Sequence, residues 1–211
     1  MSLEKNYRPE QHEPRLVEAW SSPEITGAEP EGVLKEGRRP YTILMPPPNV
    51  TDRLHLGHAL NNTLQDVLVR AHRMMGDETL WMPGTDHAGI STQTKVEKQL
   101  IETQGKRRTD YERTEFIAIV QSWKDEYEAT ITDQLRRMGC SADWRRQRFT
   151  MDPICASAVR EGFFRLFCDD LIYRGKRLVN WDPKFETAIS DLEVENIEVD
   201  GHMWHFKYPL A

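Results

Sequence analysis

Two histidines that flank a glycine-containing dipeptide have the clearest chemical potential in this sequence. His55 and His58 surround Leu56-Gly57, directly after a proline-rich run and at the start of a helical pattern. At a helix start, backbone N–H groups and the positive end of the helix dipole favour an anion. Two imidazoles there can donate hydrogen bonds to a triphosphate, and Gly57 lets a nucleotide approach the backbone closely. The spacing therefore indicates a phosphate-binding site.

Two other interpretations of the histidine pair stay open on these residues alone. Surface or helix-capping histidines produce the same spacing, and they are the more common case for an isolated pair. Metal ligation also suits two histidines three residues apart. No acidic third ligand accompanies His55 and His58 in a suitable local pattern, so we expect no metal bound by the protein.

The elements around the histidines predict a βαβα unit. Residues 41–45 are a short apolar strand that stops at three prolines, and residues 56–75 repeat apolar side chains at helical spacing. A second strand at 79–82 and a helix at 90–103 follow. This order predicts a parallel sheet, and open parallel sheets bind ligands outside the carboxyl ends of their strands.

The rest of the chain divides into three predicted parts. The irregular lead-in 1–38 holds a short helix at 15–20, and helices at 110–138 and 152–169 complete an α/β region over 39–170. Beyond residue 170 the pattern is β-rich as far as residue 211. Its strand-like runs are 171–173, 178–181, 188–190 and 202–206.

Composition excludes several classes of protein. The 211 residues are 38% hydrophobic and 29% charged with a net charge of −6, which is typical of a globular chain and gives no general attraction for nucleic acid. No apolar run approaches the roughly 18 residues of a membrane span, so we expect no membrane partner and a cytoplasmic location. Cys140, Cys155 and Cys168 fit neither a disulfide framework nor a zinc site, and we interpret them as buried free thiols.

Several segments carry a resemblance to a known family. His-Leu-Gly-His resembles the HIGH signature of class I aminoacyl-tRNA synthetases, and the preceding Pro-Pro-Pro-Asn-Val-Thr is similar to the same place in valyl-tRNA synthetases. Residues 80–90 resemble the next active-site segment of that family, and the stretches within 180–206 resemble the approach to its editing domain. The resemblance extends over residues 10–211.

The resemblance implies a fold and a set of site residues. The fold is the first half of a Rossmann-like nucleotide-binding domain, a parallel sheet with flanking helices, followed by a β-rich segment that leads toward an editing domain. Asp86 would pair with the α-ammonium group of the amino acid, although on its own it also suits a cap ahead of Ala88. The predicted amino-acid pocket also includes Pro46, Pro47 and Asn49. The predicted ATP contacts are Thr51, His55, Gly57 and His58, of which the two histidines are the catalytic candidates.

The implied reaction has two steps. Valine attacks the α-phosphorus of ATP to give valyl-adenylate and pyrophosphate, and the valyl group then moves to tRNA(Val). Mg²⁺ would be held mainly by the phosphates of ATP. Positioning of the reactants and stabilisation of the developing phosphate charge would supply most of the rate.

Two departures from the family pattern affect these expectations. Asp52-Arg53 stands where the family has glycine, and the Asp52 charge should weaken ATP binding unless Arg53 compensates. No segment resembles the lysine-rich KMSKS loop. We therefore expect a fragment whose ligase activity is weak or absent when it is alone and which has an exposed strand edge. A complementary chain that carries the KMSKS half could restore the activity. The alternatives are a non-catalytic remnant, a partner-dependent module, or a nucleotidylyltransferase that shares the HIGH signature.

Overall fold

A parallel strand–helix–strand unit carries the histidine segment in the computed structural model, which describes residues 6–210. Strand β1 (Pro40–Leu44) leads through the proline-rich loop to helix α4 (Leu56–Met74), and strand β2 (Glu78–Met82) follows. The two strands pair in parallel, with Tyr41 opposite Thr79. The predicted unit is confirmed, and its strands begin one residue earlier than expected.

Two short strands continue this parallel arrangement on the far side of β2. After Pro83, strand β3 (Gly84–Thr85) pairs in parallel with strand β4 (Arg148–Phe149). The Thr150 N–H donates to the Thr85 carbonyl at 3.1 Å, which continues the pairing past β4. Strand β4 was not predicted because its two residues are too short to show a periodic pattern.

The predicted long helices are confirmed with small changes at their ends. They are α5 (Ile90–Gln104), α6 (Arg113–Arg137) and α7 (Pro153–Cys168). Asp152 caps α7, because its carboxylate accepts the Cys155 N–H at 2.8 Å.

The lead-in is more helical than expected. It contains α1 (Pro9–Trp20), α2 (Pro23–Thr26) and α3 (Pro30–Leu34). Each of these helices begins with proline, whose fixed φ suits the first helical turn. The predicted short helix at 15–20 is therefore the second half of α1.

The main core lies between the parallel strands and helices α4 and α6. Trp81 of β2 is fully buried and packs with Val69 of α4 and Ile131 of α6. Its indole N–H donates to Gln65 Oε1 at 3.0 Å, so the one polar group of this buried side chain has a hydrogen-bond partner.

The apolar face of α4 that the helical period predicted does not lie in this core. Leu60, Leu64 and Val67 are all more than half exposed, and on β1 Leu44 is 68% exposed. The buried residues of α4 are Asn62 and Val69. The period correctly predicted the helix, but its apolar face has no cover among residues 6–162.

Buried Asp143 joins the lead-in to the core. Its carboxylate accepts hydrogen bonds from the Ala28 N–H at 3.3 Å and from Arg145 Nε at 3.0 Å, and it also bonds Arg146. Burial alone raises the pKa of this carboxyl group, but the hydrogen bonds from Arg145, Ala28 and Arg146 outweigh it and lower the pKa. Asp143 is thus a paired internal charge.

The three cysteines differ in their environments. Cys140 is buried, and burial raises the pKa of its thiol to about 12. Cys155 is half-buried and Cys168 is exposed. All three are free, but the prediction of burial is wrong for Cys168, because the apolar side chains around it on α7 are themselves exposed.

The chain forms two compact units, Met1–Gly162 and Phe163–Ala211. In the second unit, strands β5 (Asn180–Asp182) and β6 (Thr187–Ile189) form an antiparallel pair. Within the described part of that unit the runs at 171–173 and 202–206 form no strand, so those two predictions are wrong: the runs are apolar, but no neighbouring strand pairs with them. Residues 1–5 and 211 of the predicted outer parts lie outside the described residues, and the division at 38 and 170 stays a prediction.

No helix between residues 6 and 210 is long and apolar enough to cross a membrane. Over the same residues, no group of three His, Cys, Asp or Glu side chains converges as a metal site.

Candidate active site

The carboxyl ends of the parallel strands bring the proline-rich loop beside Asp86. The Asp86 N–H donates to the Pro48 carbonyl at 2.8 Å, and the Val50 N–H donates to the Asp86 carbonyl at 3.0 Å. These bonds make an isolated parallel bridge between Asn49 and Asp86. The predicted pocket residues thus lie on two adjoining segments, and Pro46, Pro47 and Asn49 are exposed and accessible to a ligand.

The Asp86 carboxylate is held in place but retains acceptor capacity. Its Oδ1 accepts the Thr150 hydroxyl at 2.9 Å, and its Oδ2 accepts the Ala88 N–H at 3.3 Å. A carboxylate offers about four acceptor positions, so an ammonium group can still bind. The cap of α5 is Gly89, without a side-chain bond, so Asp86 caps a local turn rather than the helix.

His87 is held by the same threonine. The Thr150 hydroxyl lies 2.9 Å from the His87 backbone nitrogen and 2.7 Å from its ring Nδ1. His87 also lines a groove of about 700 Å³ between α5, α6 and β4. Thr150 therefore positions both Asp86 and His87.

Helix α6 supports the loop that joins the two predicted groups of residues. The Trp123 indole N–H donates to the Val50 carbonyl at 2.9 Å, and Gln134 Oε1 accepts the Leu54 N–H at 3.0 Å. Thr51, a predicted ATP contact, lies in the turn between these two anchors. The turn is therefore fixed at both ends on a rigid helix.

The histidine pair caps helix α4. His55 is the N-cap residue, and its Nδ1 accepts the Gly57 N–H at 3.0 Å. The His55 N–H in turn donates to His58 Nδ1 at 3.3 Å, and the two ring centroids are 4.0 Å apart. The capping interpretation of the histidines is confirmed.

Capping leaves the outer ring nitrogens available for a ligand. In a neutral imidazole one nitrogen accepts and the other carries the proton. Because each Nδ1 accepts a hydrogen bond, each neutral ring carries its proton on Nε2. Burial, and to a lesser degree the neighbouring His55, lower the pKa of His58, which favours its neutral form. Capping and phosphate binding are thus compatible functions of the same rings.

Gly57 is required by the position of His55. A Cβ at this residue would lie 2.8 Å from Cε1 and 3.0 Å from Nδ1 of the His55 ring. Only glycine therefore allows the ring to fold back onto the helix start. This adds a second reason for glycine here, besides the predicted close approach of a nucleotide.

The charge of Asp52 is balanced by a residue that the sequence did not indicate. Asp52 Oδ2 lies 3.1 Å from Lys95 Nζ on α5, and Oδ1 accepts the Arg53 N–H at 2.8 Å. The Arg53 backbone, followed by Lys95, lowers the pKa of the Asp52 carboxyl group. Compensation thus comes mainly from the Arg53 N–H and from Lys95, with only a small contribution from the Arg53 charge.

Sequence reasoning therefore missed Thr150 and Lys95. The signal for Thr150 was its position directly after the apolar Phe149 and before the Asp152-Pro153 cap. Lys95 gave no signal, because it lies on a polar helix face far along the chain from Asp52.

Comparison with known proteins assigns the chain to a class. Residues 15–207 match the family of tRNA synthetases class I (I, L, M and V). The chain therefore belongs to the class I tRNA synthetases.

Its relatives within that class are valine–tRNA ligases. It is 53% identical over 224 residues to the valine–tRNA ligase of Ruegeria pomeroyi, and the alignment covers 100% of this chain and 22% of that protein. The identity to the Caulobacter vibrioides valine–tRNA ligase is 54% over 213 residues, which covers 99% and 23%. The chain spans about a fifth of the length of these homologues.

A solved structure supports the fold. The LeuRS of Agrobacterium radiobacter K84, crystallised as a ternary complex with tRNA and LeuAMS, aligns with a TM-score of 0.70 over 87% of this chain and 21% of that chain. The sequence identity is 20%, so this likeness concerns the fold alone. The mixed α/β fold, with small parallel sheets, is that of a class I synthetase catalytic domain.

Proposed function

We propose that this chain forms the part of a valine–tRNA ligase active site that contacts ATP and valine. The observation that carries the proposal is that two features adjoin the same loop, which leads from β1 to α4. Asp86 is bonded to the proline-rich loop, and His55 and His58 present their outer nitrogens at the start of α4. One feature suits an amino acid and the other a phosphate.

The amino-acid side of the proposed site combines a charge with a rigid wall. Asp86 would accept the α-ammonium group of valine through a charge-assisted hydrogen bond. Pro46, Pro47 and Asn49 would form one wall of a small slot for the branched side chain, since proline backbones are stiff. Thr150 would keep the carboxylate in place.

The phosphate side supplies donors rather than acid–base groups. His55 and His58 would donate from Nε2 to phosphate oxygens, with Thr51 and Gly57 beside them. The valine carboxylate would form a bond to the α-phosphorus while the bond to pyrophosphate breaks. Mg²⁺ would enter with the ATP phosphates, which is consistent with a site built from imidazoles and N–H groups rather than carboxylates.

Both steps need parts that this sequence does not supply. Transfer of the valyl group requires tRNA(Val), and a lysine-rich KMSKS loop would hold the departing pyrophosphate. We propose that a complementary stretch of polypeptide provides that loop. The division into lead-in, first half of the catalytic domain and β-rich connection belongs to the same proposal.

A second candidate function is a non-catalytic module that requires a partner. The exposed leucines of α4 and the open side of β1 favour it, since isolated globular surfaces rarely expose contiguous apolar patches.

Calorimetric titration of Mg·ATP and of valine into the purified chain tests the proposal. We expect saturable ATP binding that weakens about tenfold in His58→Asn, which keeps a capping acceptor but loses the Nε2 donor. His58→Ala should weaken it at least as much, and Asp86→Asn should remove valine binding alone. His202→Ala, an exposed histidine in the second unit, is the matched control. Absence of ATP binding by a chain that circular dichroism shows to be folded would favour the non-catalytic module.

A further inference from the structure

We infer that Lys95 is a positioning residue for the triphosphate, because it holds and neutralises the Asp52 carboxylate beside the start of α4. The inference rests on the proposed function and extends it to a residue outside the recognisable motifs. It concerns how the site accepts a multiply charged anion even though an acidic residue lies three positions before His55.

The geometry engages both oxygens of the carboxylate. Lys95 Nζ approaches Oδ2 at 3.1 Å, and the Arg53 N–H donates to Oδ1 at 2.8 Å. With both oxygens occupied, the carboxylate has a defined orientation. Arg53 contributes this contact from its backbone, so the ion pair of Asp52 is made by Lys95.

The pair also links the two sides of the proposed site. Asp52 lies in the turn that leads to His55, whereas Lys95 lies on α5, the helix that begins directly after the Asp86 segment. The side chains of Asp52 and Lys95 are 65% and 48% exposed, so solvent screens the pair and it adds little to folding stability. Its effect is instead on the local potential that an incoming anion meets.

The sign of that effect follows from the charges. The carboxylate is ionised at neutral pH because the pKa of an ordinary aspartate already lies far below it, and the Arg53 N–H and Lys95 lower the pKa of Asp52 further. Without Lys95 it would repel the triphosphate with a full negative charge. At a separation of roughly 8–10 Å in water of low ionic strength, one unit of charge changes the affinity for a multiply charged anion by about threefold to tenfold.

Calorimetry with Mg·ATP at low ionic strength, where salt screening is weak, provides the test, in wild type, Lys95→Met, Asp52→Asn and the double variant. We expect Lys95→Met to weaken binding by about threefold to tenfold, and to change it less than twofold when Asp52 is already asparagine. Lys98→Met is the matched control, since Lys98 is an exposed lysine of α5 that pairs with Glu102 on the same helix, with its Nζ 3.8 Å from Glu102 Oε1. It should leave affinity unchanged.

A second measurement does not depend on ATP. The pKa of the Asp52 carboxyl group, followed by its carbon resonance in a pH titration, should rise in Lys95→Met and not in Lys98→Met. Equal pKa values in these two variants would overturn the pairing itself.

The proposed function and the role of Lys95 are refuted by different results. If wild type binds Mg·ATP and His58→Asn weakens it, but Lys95→Met binds like wild type, the inference is wrong and the proposed function stands. It is also wrong if Lys95→Met weakens binding equally with and without the Asp52 charge, because Lys95 would then contact the phosphates directly. If wild type does not bind Mg·ATP, the proposed function fails and the inference with it.

Discussion

Replacement of Gly57 by alanine tests whether capping and ligand binding by His55 are linked. The added Cβ would lie 2.8 Å from the His55 Cε1 atom, closer than real Cβ contacts allow. The ring is the end of a side chain and can rotate, so we expect it to move rather than the helix backbone. The hydrogen bond from the Gly57 N–H to His55 Nδ1 would then break.

The expected effects on stability and on binding differ. Loss of the N-cap bond costs about 1 kcal/mol, while alanine in place of helical glycine gains about 0.5–1 kcal/mol. The free energy of unfolding should therefore change by less than about 0.5 kcal/mol. A displaced His55 ring loses a hydrogen bond to a charged phosphate, worth about 1.5 kcal/mol or roughly tenfold in affinity.

Urea unfolding and calorimetric titration of Mg·ATP on the same preparations measure both quantities. Gly162→Ala in α7 is the control, since no atom lies within 4 Å of a Cβ there. It should gain about 0.5–1 kcal/mol of stability and leave binding unchanged. Wild-type ATP affinity in Gly57→Ala would refute the assigned role of His55. A loss of more than about 2 kcal/mol in stability would show that the backbone moved instead.

Three further predictions concern the surroundings of the site. Asp143→Ala should lower the free energy of unfolding by about 3 kcal/mol at pH 7, because it leaves two arginines without their buried partner. Since the pKa of Asp143 is lowered on folding, its contribution is present above about pH 4 and is lost as the pH falls further, so urea unfolding at pH 3 should show a smaller difference. A thiol reagent at pH 8 should modify exposed Cys168 rapidly and buried Cys140 only on unfolding, as mass spectrometry of the labelled peptides can show. Thr150→Val should weaken valine binding about fivefold by calorimetry while ATP binding stays unchanged, because it removes a hydrogen bond to Asp86; an equal loss of both affinities would contradict this.

Local patterns were sufficient to predict the elements on either side of the proline-rich loop, but not the two-residue strands β3 and β4 that precede Asp86 and Thr150. The helical period from residue 56 and the short apolar run before the prolines correctly predicted α4 and β1. The side that each element buries was not predictable in the same way. The apolar period of α4 describes a face suited to contact, but burial depends on what lies against that face, and Leu60 and Leu64 have no such cover here.

The partners of the charged residues were also beyond the reach of local patterns. Arg53 is adjacent to Asp52 in sequence, yet the neutralising side chain is Lys95, 43 residues further on. Thr150 reaches Asp86 from 64 residues away. Such contacts depend on the parallel pairing that places distant segments side by side, whereas the identity of the motifs depends only on adjacent residues.

The prolines of the candidate pocket have a consequence for self-association. In the described residues, β1 pairs with β2 along one edge only, and an unpaired edge is a template for strands of other molecules. Proline has no N–H to donate, and β1 begins at Pro40 and is followed closely by Pro46, Pro47 and Pro48. The exposed edge is therefore limited to a few residues, too short for a stable intermolecular ladder. The rigid loop of the proposed amino-acid pocket thus also restrains aggregation through β1.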